Sequence, residues 1–221
     1  MTEREATILA QQKWREMALW EQWVVATMVA EVLGIGAIAL AATFLPTVEA
    51  SRLREALVAS IGVVYGAILG VAQWLVLRRR IPHSEGWILA TVGGSLVAWV
   101  VGVLVSVLLA LTYFGETDYR GSVLPAIALL GAWIGLVLGF AQWTVLRRVY
   151  QRATLWVGAN VIAWAVGLPI AFIGAGLTQQ ATSTLKSTLI GVLTGVASGT
   201  MIGVITGTAL VWLLRSRSPR P

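Results

Sequence analysis

A glycine ladder written three times limits what this chain can become. Gly62, Gly66 and Gly70 are followed by Ala72, Gln73, Trp74, Val76, Leu77, Arg78 and Arg79. The pattern returns as Gly131, Gly135 and Gly139, then Ala141, Gln142, Trp143, Val145, Leu146, Arg147 and Arg148. A third, worn copy has Gly199, Gly203 and Gly207, then Ala209, Leu210, Val211, Leu214 and Arg215. The period is roughly 68 residues. Glycine at every fourth position bares one side of a helix. In lipid, where burying apolar surface does not drive helices together, such a bare side lets two backbones approach and pack.

The medium follows from composition. The chain is 57% hydrophobic and only 12% charged, against about 25% charge in a soluble domain. The apolar residues gather in six segments, at about 20–45, 56–77, 86–114, 122–146, 154–177 and 187–214. Each exceeds the ~20 residues that cross ~30 Å of hydrocarbon at ~1.5 Å per residue. Polar turns fall between them: Pro46 and Glu49, Pro82 and His83, Gly115 to Asp118, and Gln179 to Ser183. Residues 1–19 form an N-terminal segment of mixed charge. Its Leu9, Trp14, Met17 and Trp20 predict a short amphipathic helix lying on the membrane surface. A signal peptide is not expected, because the polar lead is long and acidic and the next apolar run is long enough to stay in the membrane. The tail, 216–221, is expected to be disordered.

Charge sets an expected orientation. One side of the six-span arrangement collects Arg4, Lys13, Arg15, Arg78, Arg79, Arg80, Arg147, Arg148, Arg152, Arg215, Arg217 and Arg220. The other collects Arg52, Arg54, Arg120 and Lys186. Basic residues stay cytoplasmic, which predicts both termini in the cytoplasm and residence in a bacterial inner membrane. The same placement explains the net charge of +6 without nucleic acid. Arg78, Arg79, Arg147, Arg148 and Arg215 read as cytoplasmic anchors whose heads reach the headgroups.

The odd-numbered segments also echo one another. The first reads Trp23, Ala26, Thr27, Ala30, Glu31, Gly34 and the fifth Trp156, Ala159, Asn160, Ala163, Trp164, Gly167. The third reads Trp87, Ala90, Thr91, Gly94, Ala98, Trp99, Gly102, with one extra helical turn. The expected fold is therefore an all-α integral membrane protein. Its six transmembrane helices form three tandem two-helix repeats (about 20–80, 86–148 and 154–215) in a pseudo-threefold bundle over 20–215.

At about 100° per residue, Gln73 and Gln142 fall within their glycine stripes and point at a neighbouring helix. They lie roughly 7–8 Å inside the arginine boundary. Thr27, Thr91 and Asn160, each one turn past a tryptophan, come to a similar depth. These five residues predict one polar layer with hydrogen bonds between helices, incomplete where Leu210 replaces the glutamine.

Glu31 is the acid deep inside a span, roughly 12 Å past Trp23. An intramembrane carboxylate is a functional candidate, either as a proton or cation site or as a hydrogen-bonded glutamate between helices. His83 is the sole histidine and there is no cysteine, so no metal site of the usual spacing is present. No Ser/His/acid arrangement and no phosphate loop occurs. Of the eleven tryptophans, Trp14, Trp20, Trp23, Trp87 and Trp156 predict an interfacial belt. Trp99, Trp133 and Trp164 lie deeper, either as packing or as the lining of a pocket for a lipid, quinone or pigment. No cofactor is otherwise predicted.

Three two-helix units suggest the mitochondrial carriers, but no proline is followed two residues later by an acid, and that match fails. The repeated Gly-x3-Gly-x-Ala-Gln-Trp-x-Val-Leu-Arg-Arg and the closing Thr-Gly-Thr-Ala-Leu-Val-Trp-Leu-Leu-Arg at 206–215 resemble a family of uncharacterised bacterial multi-pass membrane proteins. The resemblance covers about residues 20–215. It implies the repeat architecture and brings no activity. The expected function is a non-enzymatic membrane module: a scaffold, a complex subunit or a lipophilic-ligand binder. Its partners are membrane lipids and other membrane proteins. The alternative is a small-solute or ion transporter or channel using Glu31 and the polar layer.

Overall fold

A computed structural model describes residues 2–44, 51–81, 84–113 and 120–215. These residues form α1 (Glu3–Phe44), α2 (Ser51–Leu77), α3 (Gly86–Tyr113), α4 (Arg120–Leu146), α5 (Thr154–Gln179) and α6 (Thr184–Arg215). All six are long and apolar enough to cross a membrane. The turn residues Pro46, Glu49, Pro82, His83 and Gly115 to Asp118, and the tail 216–221, lie outside the described residues. The turn between α5 and α6 falls at Gln180–Ser183.

Each helix packs against its neighbours in sequence, and α6 packs against α1, so the six close into a ring. The glycine ladders make the close seams. A Cβ on Gly66 would stand 2.9 Å from Val92 Cα of α3; on Gly135, 2.9 Å from Val161 Cα of α5; on Gly203, 2.9 Å from Val24 Cα of α1. The other rungs mate with the same partners: Gly62 and Gly70 face Trp99 and Thr91, Gly131 and Gly139 face Trp164 and Asn160, Gly199 and Gly207 face Met28 and Trp23. Each ladder thus mates with the helix that follows it, and the last mates with the first.

The N-terminal segment departs from expectation. Residues 3–19 are not a separate surface helix; they are the opening turns of α1, which runs unbroken for 42 residues. At ~1.5 Å per residue that is about 63 Å, twice the hydrocarbon thickness. Neither proline nor glycine interrupts the chain from Glu3 to Leu33, so nothing turns the segment onto the membrane plane. Trp14 is 71% exposed. Glu16 sits where α1 passes the end of α6, and accepts a hydrogen bond from Arg215 Nε at 2.9 Å.

Gly135→Ala, which sets a methyl group against the α5 backbone, is expected to destabilise the bundle by about 1–3 kcal/mol. Gly158→Ala, at an α5 position with open space beside it, is expected to be neutral or to stabilise by up to about 1 kcal/mol. Thermal unfolding of the two variants in detergent separates seam packing from helix propensity.

Candidate functional site: a polar layer beneath a tryptophan triangle

Trp23, Trp87 and Trp156 begin the inner faces of α1, α3 and α5, and all three are 0% exposed. Their rings meet edge to face, with centroids 6.0 Å apart for Trp23–Trp87, 5.6 Å for Trp23–Trp156 and 5.5 Å for Trp87–Trp156. Such pairs contribute about 0.5–1.5 kcal/mol each beyond their burial. This corrects their assignment to an interfacial belt. The three tryptophans lie toward the arginine-rich end, but they face inward. Trp23 shares a stripe with Thr27, Ala30, Glu31 and Gly34, and that stripe faces inward. Of the expected belt, Trp14 is exposed, and the half-buried Trp20 donates to Thr208 Oγ1 at 3.2 Å.

Each indole N–H of the triangle needs an acceptor and finds it on the helix preceding it around the ring. Trp87 Nε1 donates to Gln73 Oε1 at 3.2 Å, Trp156 Nε1 to Gln142 Oε1 at 3.0 Å, and Trp23 Nε1 to Thr206 Oγ1 at 2.9 Å. Where Leu210 stands in the glutamine's place, Thr206, one turn earlier, takes over as acceptor. Gln142 Nε2 donates to Gln73 Oε1 at 3.2 Å and to Thr91 Oγ1 at 3.1 Å, and Thr91 Oγ1 donates to Trp87 O at 2.8 Å. One network therefore joins α2, α3, α4 and α5. Interhelical bonds of this kind are worth roughly 0.6 kcal/mol each.

The structure thus brings Gln73, Thr91 and Gln142 together. It holds Asn160 apart from the glutamines: its Nδ2 donates to Trp156 O, one turn back on its own helix, at 2.9 Å. Thr27 Oγ1 is buried without a hydrogen-bond partner. Its Cβ faces Gly203 of α6.

Two turns deeper than Trp23, Glu31 is 4% exposed. Its stem lies against Gly199 of α6, and its Oε1 accepts a hydrogen bond from the Tyr65 hydroxyl of α2. Gly34 makes room for the Tyr65 ring: a Cβ there would stand 2.6 Å from ring carbon Cδ2. Tyr65 in turn packs edge to face on Trp164 at 6.2 Å. Trp164 is buried packing, whereas Trp133 is exposed on α4 and Trp99 Nε1 donates to Val58 O at 2.8 Å. Ser95 Oγ, buried on α3 beside Gly66, has no partner. Tyr65 and Ser95 are the residues that sequence reasoning missed. Tyr65 lies one position off the glycine stripe, and nothing in the chain links it to an acid 34 residues earlier.

At the arginine-rich end, guanidinium groups cover indoles. Arg78 lies 5.1 Å from the Trp74 ring centre, Arg147 4.6 Å from Trp143 and Arg152 5.7 Å from Trp212. Phe140 stacks under Trp143 at 5.2 Å, so α4 carries an aromatic step beneath Arg147. Arg79 and Arg148 are exposed beside them. Among the described residues, no three histidine, aspartate or glutamate side chains gather as metal ligands do.

Gln142→Leu removes one acceptor and two donated bonds at once, leaving the Trp156 N–H buried and unpaired. It is expected to cost about 1–3 kcal/mol in unfolding experiments, and to redshift tryptophan emission if water enters to replace the amide. No protein-family model, curated protein or solved structure matches this chain.

Proposed function

We propose that this protein is a non-enzymatic integral membrane module, serving as a scaffold or complex subunit or holding a lipophilic ligand. The observation that carries the reading is the tryptophan triangle. Three large side chains in mutual contact fill the middle of the ring at its arginine-rich end, in a bundle whose glutamines hydrogen-bond across neighbouring helices. Large apolar side chains remain on the outside of every helix, Leu33, Val64, Leu89, Leu129, Ile162 and Leu193 among them, suited to lipid or to other membrane helices. The opening turns of α1 extend past the bundle as a further contact surface.

The reading includes an architecture. Three tandem two-helix repeats stand around a pseudo-threefold axis, supported by the ladder-on-next-helix packing and by the corresponding roles of Trp23, Trp87 and Trp156. The repeated Gly-x3-Gly-x-Ala-Gln-Trp words support kinship with the bacterial multi-pass family they resemble. The basic bias supports a bacterial inner membrane location with both termini in the cytoplasm. A second reading, a small-solute or ion transporter, is favoured by one observation: Glu31 and Tyr65 paired deep in the bundle.

Two measurements test these readings. Native purification followed by mass spectrometry is expected to show a co-purified membrane protein, lipid or pigment; a bare monomer would sink the module reading. The absence of cysteine makes orientation directly testable. A membrane-impermeant maleimide applied to intact cells is expected to label Thr182→Cys and to leave Ser218→Cys unlabelled until the cells are opened.

A further inference from the structure

The interior of the bundle holds more oxygen ligands than its own hydrogen bonds use. Glu31 carries a carboxylate, and no lysine, arginine or histidine lies between Arg15 and Arg52 on its side of the chain. The elements packed around it add no base. Tyr65 comes from α2 and Gly199 from α6, and none of the six apolar segments contains a basic residue. The ion pair among the described residues, Arg215 with Glu16, is at the bundle end.

A hydroxyl one turn from this carboxylate on α1 is unspent. Buried threonines of this bundle normally turn back on their own helix: Thr91 donates to Trp87 O, Thr194 to Ile190 O and Thr206 to Ile202 O. Thr27, one turn before Glu31 on the same face, does not, and it is fully buried. Ser95 Oγ, also buried and unpartnered, lies in the α2–α3 seam against Gly66.

We propose that Glu31, Tyr65 and Thr27 form a site for one hard monovalent cation, H⁺ or Na⁺. The ligand set is all oxygen, which selects hard cations over soft ones. A single carboxylate without a counter-ion matches a single positive charge, and a group of this kind inside a membrane span is retained when something pairs with it. The inference goes beyond the scaffold reading and does not depend on it, since a cation held to lock the bundle and one carried across it need the same site. A negative flux assay therefore leaves it standing.

The test is equilibrium binding of radiolabelled sodium to the wild-type chain in lipid nanodiscs, with N-methylglucamine replacing sodium at constant ionic strength. A parallel infrared titration follows the carboxyl band. Saturable sodium binding is expected, weakened roughly tenfold or more in Glu31→Gln, less in Thr27→Val, and unchanged in Glu16→Gln. Glu31→Asp keeps the charge and retains weakened binding, which covers the case in which Glu31→Gln does not fold. No sodium binding, but a titrating carboxyl band that disappears in Glu31→Gln and shifts its midpoint in Thr27→Val, assigns the cation as H⁺ and sustains the site; a band that Thr27→Val leaves in place overturns it. Sodium binding that persists in Glu31→Gln overturns the proposal. So does a wild type that binds no sodium and shows no Glu31-dependent titration.

Discussion

Everything in this bundle depends on the closeness of three backbone seams. Lipid tails are as apolar as leucine, so burying leucine against leucine gains little over leaving it in lipid. What remains is dispersion between atoms in true contact, which falls steeply with distance. The glycine ladders deliver that contact because the space a Cβ would occupy is taken by the next helix. At Gly66, Gly135 and Gly203 the opposing Cα is only 2.9 Å from that position. Once α2 is seated on α3, α4 on α5 and α6 on α1, the inner faces of α1, α3 and α5 are brought together, and their tryptophans have nowhere else to go.

The polar layer is a consequence of that geometry and also a check on it. Three indole N–H groups forced into a dry centre require three acceptors. Two are glutamines from the ladders, and the third is Thr206, which stands in because Leu210 cannot accept. The layer is consequently lopsided. Gln73, Thr91 and Gln142 are tied into one network, while on the α6–α1 seam Thr206 and Thr208 each accept from one indole and Thr27 is left unpartnered. The irregular polar groups, Glu31 with Thr27, sit at the seam where the ladder pattern is most worn.

Much of this was legible in the residues. Apolar length gave six spans, glycine period gave the packing faces, and the angle of Gln73 and Gln142 within the stripe gave their inward direction. What period cannot give is the partner. The ladder on α2 says that some helix lies close, and only the structure says α3 rather than α1. Tryptophan was misread for a different reason. At a span end it is ambiguous between an interfacial anchor and a buried wedge, and only its membership in the small-residue stripe decides. Trp23, Thr27, Ala30, Glu31 and Gly34 share that stripe, so the signal was present in the spacing. Tyr65 and Ser95 left no comparable signal, because their importance lies in contacts across helices. The straight run of α1 from Glu3 was hidden for a third reason: mixed charge marks where a helix leaves lipid, not where it bends.

The closing seam has a consequence in time. Trp23 and Thr206 are 183 residues apart, and a ribosome adding ~5–20 residues per second needs about 10–40 s to cover that distance. Throughout that interval α1 is already in the membrane with its indole N–H, its Thr27 side chain and the stem of Glu31 uncovered on the side that α6 will later seal. The first helix made is the last to be completed. A chain built this way leaves an open flank during its own synthesis, closed only when α6 arrives.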